Sequence, residues 1–468
     1  MSREASPARI TPFDRLFAPV DIAPLVWFRV AFGVIMFVEV LRFFQHGWIA
    51  RYYIRPSFLF KYYGFEWVQP WPGLGMYAHF VVLGLLALCI AAGLFYRLAT
   101  ALFFLGFTYV FLLEQARYLN HFYLVCLFSG VLAVLPAHRA FSFDATRRPA
   151  LLSPFAPVWS LWLLRFQMGV VYVYGGLAKL NSDWLQGEPL RMWLARRFNY
   201  PLIGPYLTEE WVVWVFSYGG VLFDLAIVPL LLWRRTRLLA FVAAALFNLT
   251  NAWVFQIGIF PWLALGATIV LFSPRLPHPN ARAWGMGRLA PPLPRSSLRL
   301  AIAGGFAGYL LLQCAVPLRH WFYSGDVHWT EEGHRFSWRM KLRDKQARLA
   351  LFARDPDSGA TWRVSLSPYM NAMQRDEATG RPDMILQLAH RVADDLRREG
   401  HPRIEVRARA RVSLNGRTEQ LLIDPAVDLA AQPRTLGHAP WITTLTVPLS
   451  ERADSNSEDE TPGSSTGG

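Results

Sequence analysis

Cysteine is almost absent from this chain: Cys89, Cys126 and Cys314 are all that 468 residues contain. Each lies in an apolar run, so neither a disulfide framework nor a thiolate metal centre is expected. Acidic residues are also short, 33 Asp and Glu against 47 Lys and Arg, leaving a formal net charge of +14. Such an excess can mark a nucleic-acid surface, but here most arginines sit in short connections between apolar runs, where positive charge orients membrane helices. No nucleic-acid partner is expected. The first 20 residues hold Arg3, Arg9 and Arg15 but no short apolar core with a small-residue cleavage site, so the first span reads as an uncleaved anchor. Nor does the chain show a repeated half with interrupted helices in matching places, the mark of common transporter folds.

What the chain has in excess is apolar surface. With 53% hydrophobic residues, 19 Trp and 34 Phe, it carries more than one soluble domain could bury and reads as a polytopic membrane protein. Stretches able to cross about 30 Å of hydrocarbon fall near 24–44, 75–96, 98–116, 121–136, 156–180, 210–233, 238–255, 257–273 and 298–317. The fourth and eighth are short, so eight spans are an alternative to nine. With a cytoplasmic N-terminus the inner segments hold Arg3, Arg9 and Arg15, Arg97, Arg139, Arg147 and Arg148, Arg234, Arg235 and Arg237, then Arg275, Arg282, Arg288, Arg295 and Arg299. That distribution follows the positive-inside rule. Nine spans then put everything past residue 318 outside the cytoplasm.

The fold class expected is therefore an α-helical polytopic membrane bundle followed by a soluble, strand-rich α+β external domain. Four parts follow: an N-terminal cytoplasmic arm over 1–20, a transmembrane domain over 21–318, an extracytoplasmic domain over 319–452, and an acidic, Ser/Gly-rich disordered tail over 453–468. Within the external domain, strand-like runs lie at 335–342, 347–353, 361–366, 404–413 and 417–424. Asn415-Gly416 joins the last two as a hairpin signal, and Asp355, Pro356, Asp357, Ser358 and Gly359 supply turn chemistry. Ile385, Leu388, Ala389, Val392 and Leu396 recur at helical spacing across 382–398, with Gly400 as the stop.

Ionisable side chains inside spans are costly, about 2.5–3.5 kcal/mol each at a helix centre on insertion scales. Arg29, Glu39, Arg165 and Asp224 are the conspicuous ones, and the plain expectation is that they pair with one another. Lys179 differs, standing at the end of the fifth apolar run in Tyr174-Gly175-Gly176-Leu177-Ala178-Lys179-Leu180-Asn181-Ser182-Asp183-Trp184. Arg165, Tyr172 and Lys179 recur every seven residues and share one helix face, drifting only about 20° per step. Arg165 lies roughly 21 Å from Lys179 along the axis, too far to be its direct partner. Gly175 and Gly176 admit close approach by another helix or a flat ring. Lys179 is either a snorkelling anchor or a base at the membrane edge, and these residues alone leave both open. A second cluster, Glu114, Arg117, Tyr118, Asn120, His121 and Tyr123, falls on the same side in the nine-span topology.

Five motifs in order, YLNHFYL at 118–124, GGLAKLNSDWLQGEPL at 175–190, FQIGIFPW at 255–262, EEGHRFSWRMKL at 331–342 and LNGRTEQLLIDP at 414–425, resemble the vitamin K-dependent γ-glutamyl carboxylase family. The resemblance spans about 120–430 of the chain. It implies a membrane carboxylase that couples oxygenation of reduced vitamin K, a phylloquinol- or menaquinol-type naphthohydroquinone, to its epoxide with carboxylation of protein glutamate. Dioxygen and carbon dioxide are co-substrates, and no metal is implied. The implied partners are membrane lipid, a lipid-soluble quinone and a glutamate-containing peptide or protein. The family's base falls on Lys179 and its Asn-His pair on Asn120 and His121, with His121 also placed among the catalytic residues. The quinone- or glutamate-binding segment falls on His334, Phe336, Ser337, Trp338 and Met340. Of these, Trp338 and Met340 join Asn120, His121, Tyr172 and Gly175 as quinol-binding candidates. His334, Phe336 and Ser337 are the substrate candidates. The resemblance, to a bacterial-type member, also implies a bacterial inner membrane.

Elementary chemistry permits the base role. Free lysine and phenol have nearly matched pKa values, about 10.4 and about 10, so proton transfer is balanced once the amine starts neutral, a state that desolvation favours. The chain departs from the vertebrate pattern in having no cysteine after Cys314, in an external domain ending near 452, and at His334, Arg339 and Lys341. The alternative expectation is a quinol epoxidase or oxidase of the same fold that does not carboxylate glutamate.

Overall fold

The computed structural model describes residues 11–255, 257–271 and 295–450. Arg3, Arg9, Gln256, Arg275, Arg282, Arg288 and the tail expected over 453–468 lie outside the described residues. Among the described residues seven helices are long and apolar enough to cross a membrane: Ala23–Gln45, Gly75–Ala92, Tyr96–Leu113, Val158–Ala178, Glu210–Leu232, Arg237–Phe255 and Ser296–Phe322. The fourth and eighth expected spans are shorter apolar helices, Asn120–Val134 and Phe260–Leu271. Val81, Val82, Leu85 and Leu88 stand exposed on one of the long helices and Leu222 and Leu311 on two others. Apolar side chains on the outward faces of helices this long have lipid as their natural surroundings. The protein is an integral membrane protein.

Two compact units form, and their division does not fall at one point in the sequence. The first comprises Met1–Ala178, Gly219–His320 and Arg335–Met340; the second comprises Lys179–Tyr218, Trp321–His334 and Lys341–Gly468.

In the helical unit a short antiparallel ladder pairs β1 (Pro19–Asp21) with β2 (Phe155–Pro157). It ties together the chain entering helices Ala23–Gln45 and Val158–Ala178. A Cβ added at Gly33 would sit 2.6 Å from the Ala87 carbonyl oxygen and 2.8 Å from Ala91 Cβ. The first two spans therefore approach backbone to backbone, as small residues allow in membranes. Aromatic packing fills the interior, with Phe28 edge-on to Phe128 and Phe103 stacked on Phe107. Tyr309 Oη donates to Gln167 Oε1 at 2.5 Å and Tyr174 Oη to the Cys314 carbonyl at 2.7 Å, joining helix Val158–Ala178 to the last span.

Two of the intramembrane charges, Arg29 and Glu39, find partners other than one another. Arg29 donates to the Ala137 and Phe141 carbonyls, Glu39 accepts from Arg42 one turn along its own helix, and Arg165 Nε donates to the Val270 carbonyl. Helix ends supply carbonyls with no intrahelical partner, and a guanidinium has five donors to reach them.

In the second unit a four-stranded antiparallel sheet runs in the order β4-β3-β5-β6, with β3 over Lys345–Arg354, β4 over Thr361–Val364, β5 over Glu405–Leu414 and β6 over Gln420–Leu421. Leu349, Leu351 and Ala353 face Ala410, Ala408 and Val406 across the β3-β5 ladder. Helix Pro382–Arg398 packs on this sheet, burying Ile385, Leu388, Ala389 and Val392. Asn415 and Gly416 both take positive φ, 54° and 81°, the combination a type I′ hairpin turn requires.

Two expected strands differ. The run 417–424 contributes only Gln420–Leu421 and a bridge from Ile423 to Ile442. The run 335–342 is not a strand: Phe336, Trp338 and Lys341 adopt φ of 61°, 57° and 51°, which no ladder accommodates. Side chains take the place of a partner strand, since Tyr118 Oη accepts from the Phe336 amide at 2.7 Å and Asn120 Nδ2 donates to the Arg339 carbonyl at 3.3 Å. The alternation of Phe336, Trp338 and Met340 resembles a strand pattern, but here it serves aromatic packing within the helical unit.

Candidate functional site

Asn120 begins helix Asn120–Val134. Its two amide atoms are committed, Oδ1 accepting from Tyr118 Oη at 3.0 Å and Nδ2 donating to Arg339, so one N–H of the amide is left to donate. Asn120 thus fastens the 335–340 segment to the helix end. Phe336 stands edge-on to Tyr118, Tyr123 and Phe111, and the indole of Trp338 stacks on Tyr123 with ring centroids 5.1 Å apart. Ser337 is buried in the same segment and donates to the Arg335 carbonyl at 3.3 Å. Arg339 approaches His320 Nε2 at 2.8 Å.

Bulky residues with positive φ carry backbone strain of order 1–3 kcal/mol each. Two of them, Phe336 and Trp338, within three positions mark a segment that its surroundings must hold in place.

Gly175 borders this segment. A Cβ built there would lie 3.3 Å from Asp224 Oδ2, 3.8 Å from Met340 Cε and 4.0 Å from the Trp338 carbonyl oxygen. Tyr172, one turn earlier, is buried edge-on against Phe223. His121 is half-buried, with Gly258 beside its Nε2 edge. Among the described residues the helical unit therefore brings Asn120, Gly175, Phe336, Ser337, Trp338 and Met340 into one contact network, with His121 adjoining Asn120 in the chain.

The second unit takes Lys179 and His334. Lys179 follows the last residue of helix Val158–Ala178 and lies over the Trp184 ring, its Nζ 5.6 Å from the centroid. The loop beneath it is closely tied. Asn181 Oδ1 caps the helical turn Ser182–Leu185 by accepting from the Trp184 amide, as an N-cap asparagine should. Trp184 Nε1 donates to the Ser217 carbonyl while Ser217 Oγ donates back to the Trp184 carbonyl. Asp183 accepts from Arg417 Nη1 and Nη2 at 2.6 and 2.7 Å and from Asn415 Nδ2 at 2.7 Å. Burial alone would raise the Asp183 carboxyl, but these hydrogen bonds outweigh it and hold the group below its ordinary value.

His334 is buried, edge-on to His328, with Nδ1 3.9 Å from Glu331 Oε2. Glu331 accepts from Arg343 Nε and Nη2 at 2.6 and 2.5 Å and from Lys345 Nζ at 3.0 Å. Against its burial, these cations keep the Glu331 carboxyl well below the usual carboxylate range. Burial pushes the Lys345 ammonium down to about 8, with Glu331 opposing.

Sequence reasoning placed Tyr118 and Tyr123 in the second cluster without giving them a role, and it missed the Asp183, Asn415 and Arg417 cluster. Both halves of that cluster lie inside quoted motifs, 175–190 and 414–425, yet nothing local links residues 234 positions apart.

A family model described as the HTTM domain matches residues 17–275, and one described as vitamin K-dependent gamma-carboxylase, lumenal domain, matches residues 299–447. The chain belongs to the vitamin K-dependent gamma-carboxylase family. The lumenal-domain match gives this carboxylase-family chain an extracytoplasmic type of C-terminal part. No solved structure matches it.

The helical unit suits a flat, apolar ring bearing oxygens. Trp338 is 1% exposed and its Nε1 has no hydrogen-bond partner among the described residues. Buried donors normally find partners. An unpartnered indole N–H among aromatic rings suits a ring oxygen of a naphthoquinol, so the residues present fit that group.

Proposed function

We propose that the protein couples oxygenation of a reduced naphthoquinone to carboxylation of glutamate in a peptide or protein. The observation that carries this reading is the docking of 336–340 onto Tyr118, Asn120 and Tyr123 beside Gly175, in a chain whose two halves match the two carboxylase-family models. When bound, the reduced quinone supplies the electrons that activate dioxygen and, with them, the basicity needed to remove a glutamate γ-proton.

The chain's own residues divide the remaining work. Lys179 Nζ takes a hydroquinone proton. His121 and Trp338 Nε1 donate hydrogen bonds to ring oxygens, as preorganised donors do for developing negative charge. Asn120 acts as a positioning residue through its hold on Arg339. The aromatic shell of Tyr62, Phe111, Tyr118, Tyr123 and Phe336 excludes water, which a strongly basic intermediate requires. His334, Phe336 and Ser337 stand as the glutamate-side candidates. A cytoplasmic N-terminus and the four-part division of the chain complete the proposal.

The test supplies purified protein with naphthoquinol, dioxygen, labelled bicarbonate and a glutamyl peptide. Epoxide and fixed label together are expected, and Lys179→Ala should lose both by about 10²–10⁴-fold while remaining folded. Epoxide without label assigns the protein to the quinol epoxidases, and full activity in Lys179→Ala removes the base assignment.

A further inference from the structure

The outer face of the four-stranded sheet is basic, and its basicity is not an edge feature. Directly opposed residues of a sheet share a face. The register therefore puts Arg348 beside Arg411, Arg409 beside Ala350, Arg407 and Arg363 on either side of Phe352, and Arg354 beside Glu405. The strands β3 and β5 that carry most of these arginines are the two interior strands. Lysine or arginine placed to block edge-to-edge pairing belongs on edge strands, so that explanation fails here. Glu405 pairs with Arg354 and Arg407, and Glu419 pairs with Arg348. Arg363, Arg409 and Arg411 are exposed and make no ion pair among the described residues. Like charges set directly opposite, as Arg348 and Arg411 are, destabilise a sheet, which makes the arrangement unfavourable for folding alone.

We propose that this face docks an acidic, glutamate-rich stretch of the polypeptide substrate. The inference rests on the carboxylase reading for the identity of the partner. Guanidinium groups bind carboxylates in two-pronged fashion, and rows of them at strand spacing match an extended peptide carrying several glutamates. Such a surface would retain a substrate through successive modifications while each glutamate in turn leaves for the reacting centre.

The test measures binding, so it does not depend on turnover. Full-length protein in detergent is titrated into a fluorescent peptide of alternating Glu and Gly and, separately, into its Gln-for-Glu counterpart. The glutamate peptide should bind and the glutamine peptide should not. Affinity should fall between about 0.1 and about 1 M salt, as the screening length shrinks from about 10 to about 3 Å. The double variant Arg409→Glu/Arg411→Glu should weaken binding at least about tenfold while leaving quinol epoxidation without peptide unchanged. Undiminished peptide affinity in that variant overturns the proposal. So does protection of these arginines from phenylglyoxal by anionic-lipid nanodiscs but not by peptide, which assigns the face to headgroups. Binding that emerges only after deletion of 453–468 assigns it to the chain's own acidic segment, and the proposal falls. Charge-dependent peptide binding without carboxylation would leave the docking surface standing and remove the carboxylase reading.

Discussion

Arg417 holds both carboxylate oxygens of Asp183, Nη1 at 2.6 Å from Oδ2 and Nη2 at 2.7 Å from Oδ1, four residues along the chain from Lys179. Both side chains are nearly buried, 8% and 12% exposed. Removing one member strands the other's charge. Arg417→Met should therefore destabilise the protein by about 3–5 kcal/mol, read as a lower unfolding temperature in detergent. Arg417→Lys keeps the charge but not the two-pronged geometry and should recover only part of the loss. If the clamp also sets the Lys179 loop, Arg417→Lys should lower kcat for epoxidation more than it raises KM for quinol; equal stability in Arg417→Met and the parent would remove the clamp from the account.

The same carboxylate gives a pH dependence of fixed sign. The native Asp183 pKa is depressed by Arg417 and Asn415 despite burial, so it lies below the unfolded value of about 3.9. Between the two values the unfolded chain binds more protons, and stability rises with pH there. The contribution is fully present above the unfolded pKa and is lost as pH falls through the native one. The stability gap between parent and Asp183→Asn should be constant above about pH 5 and close progressively below about pH 4. A gap that widens on acidification contradicts the assignment.

How much of this was legible beforehand depends on whether the deciding interaction is local. Helix Pro382–Arg398 was readable because its apolar residues repeat every three or four positions and Gly400, with φ of 108°, ends the run. The Asn415-Gly416 turn was readable because those residues tolerate positive φ. The 335–342 run was misread because strand alternation and aromatic docking produce the same period. The choice between them is made by Tyr118 and Asn120, more than 200 positions away. Arg29 and Glu39 were expected to pair within a set that included Arg165 and Asp224, but backbone carbonyls take Arg29 and Arg42 takes Glu39. Family motifs located Lys179, Asn120 and Trp338 in the sequence, whereas the partners that position them are tertiary.

Tyr118 is the next residue to vary. Its hydroxyl accepts from the Phe336 amide and donates to Asn120, so Tyr118→Phe leaves a partly buried N–H without an acceptor, a loss of about 1–3 kcal/mol. That loss falls on a segment already strained at Phe336 and Trp338. The expected result is a higher KM for naphthoquinol together with an unfolding temperature lowered by a few degrees. Unaltered quinol KM in Tyr118→Phe, with the protein folded, would show that the segment's position does not matter to quinol binding.

Adjacent glycines give the sharpest contrast. A Cβ at Gly176 would lie 2.7 Å from Leu225 Cδ2, 2.8 Å from Leu225 Cγ and 3.2 Å from Asp224 Cβ. Gly176→Ala must displace the Leu225 side chain or the helix that carries it, and overpacking of this kind costs about 1–3 kcal/mol. At Gly175 the nearest atoms are Asp224 Oδ2 at 3.3 Å and Met340 Cε at 3.8 Å, so only a few tenths of an ångström of adjustment is required. Gly175→Ala should therefore fold with near-parental stability yet place a methyl group where the quinol ring is proposed to approach. Thermal unfolding should separate the pair in one direction and quinol KM in the other: Gly176→Ala chiefly less stable, Gly175→Ala chiefly weaker for quinol. Should Gly175→Ala keep both parental stability and parental KM, the ring does not pass that face of the helix, and the close approach to Met340 serves packing alone.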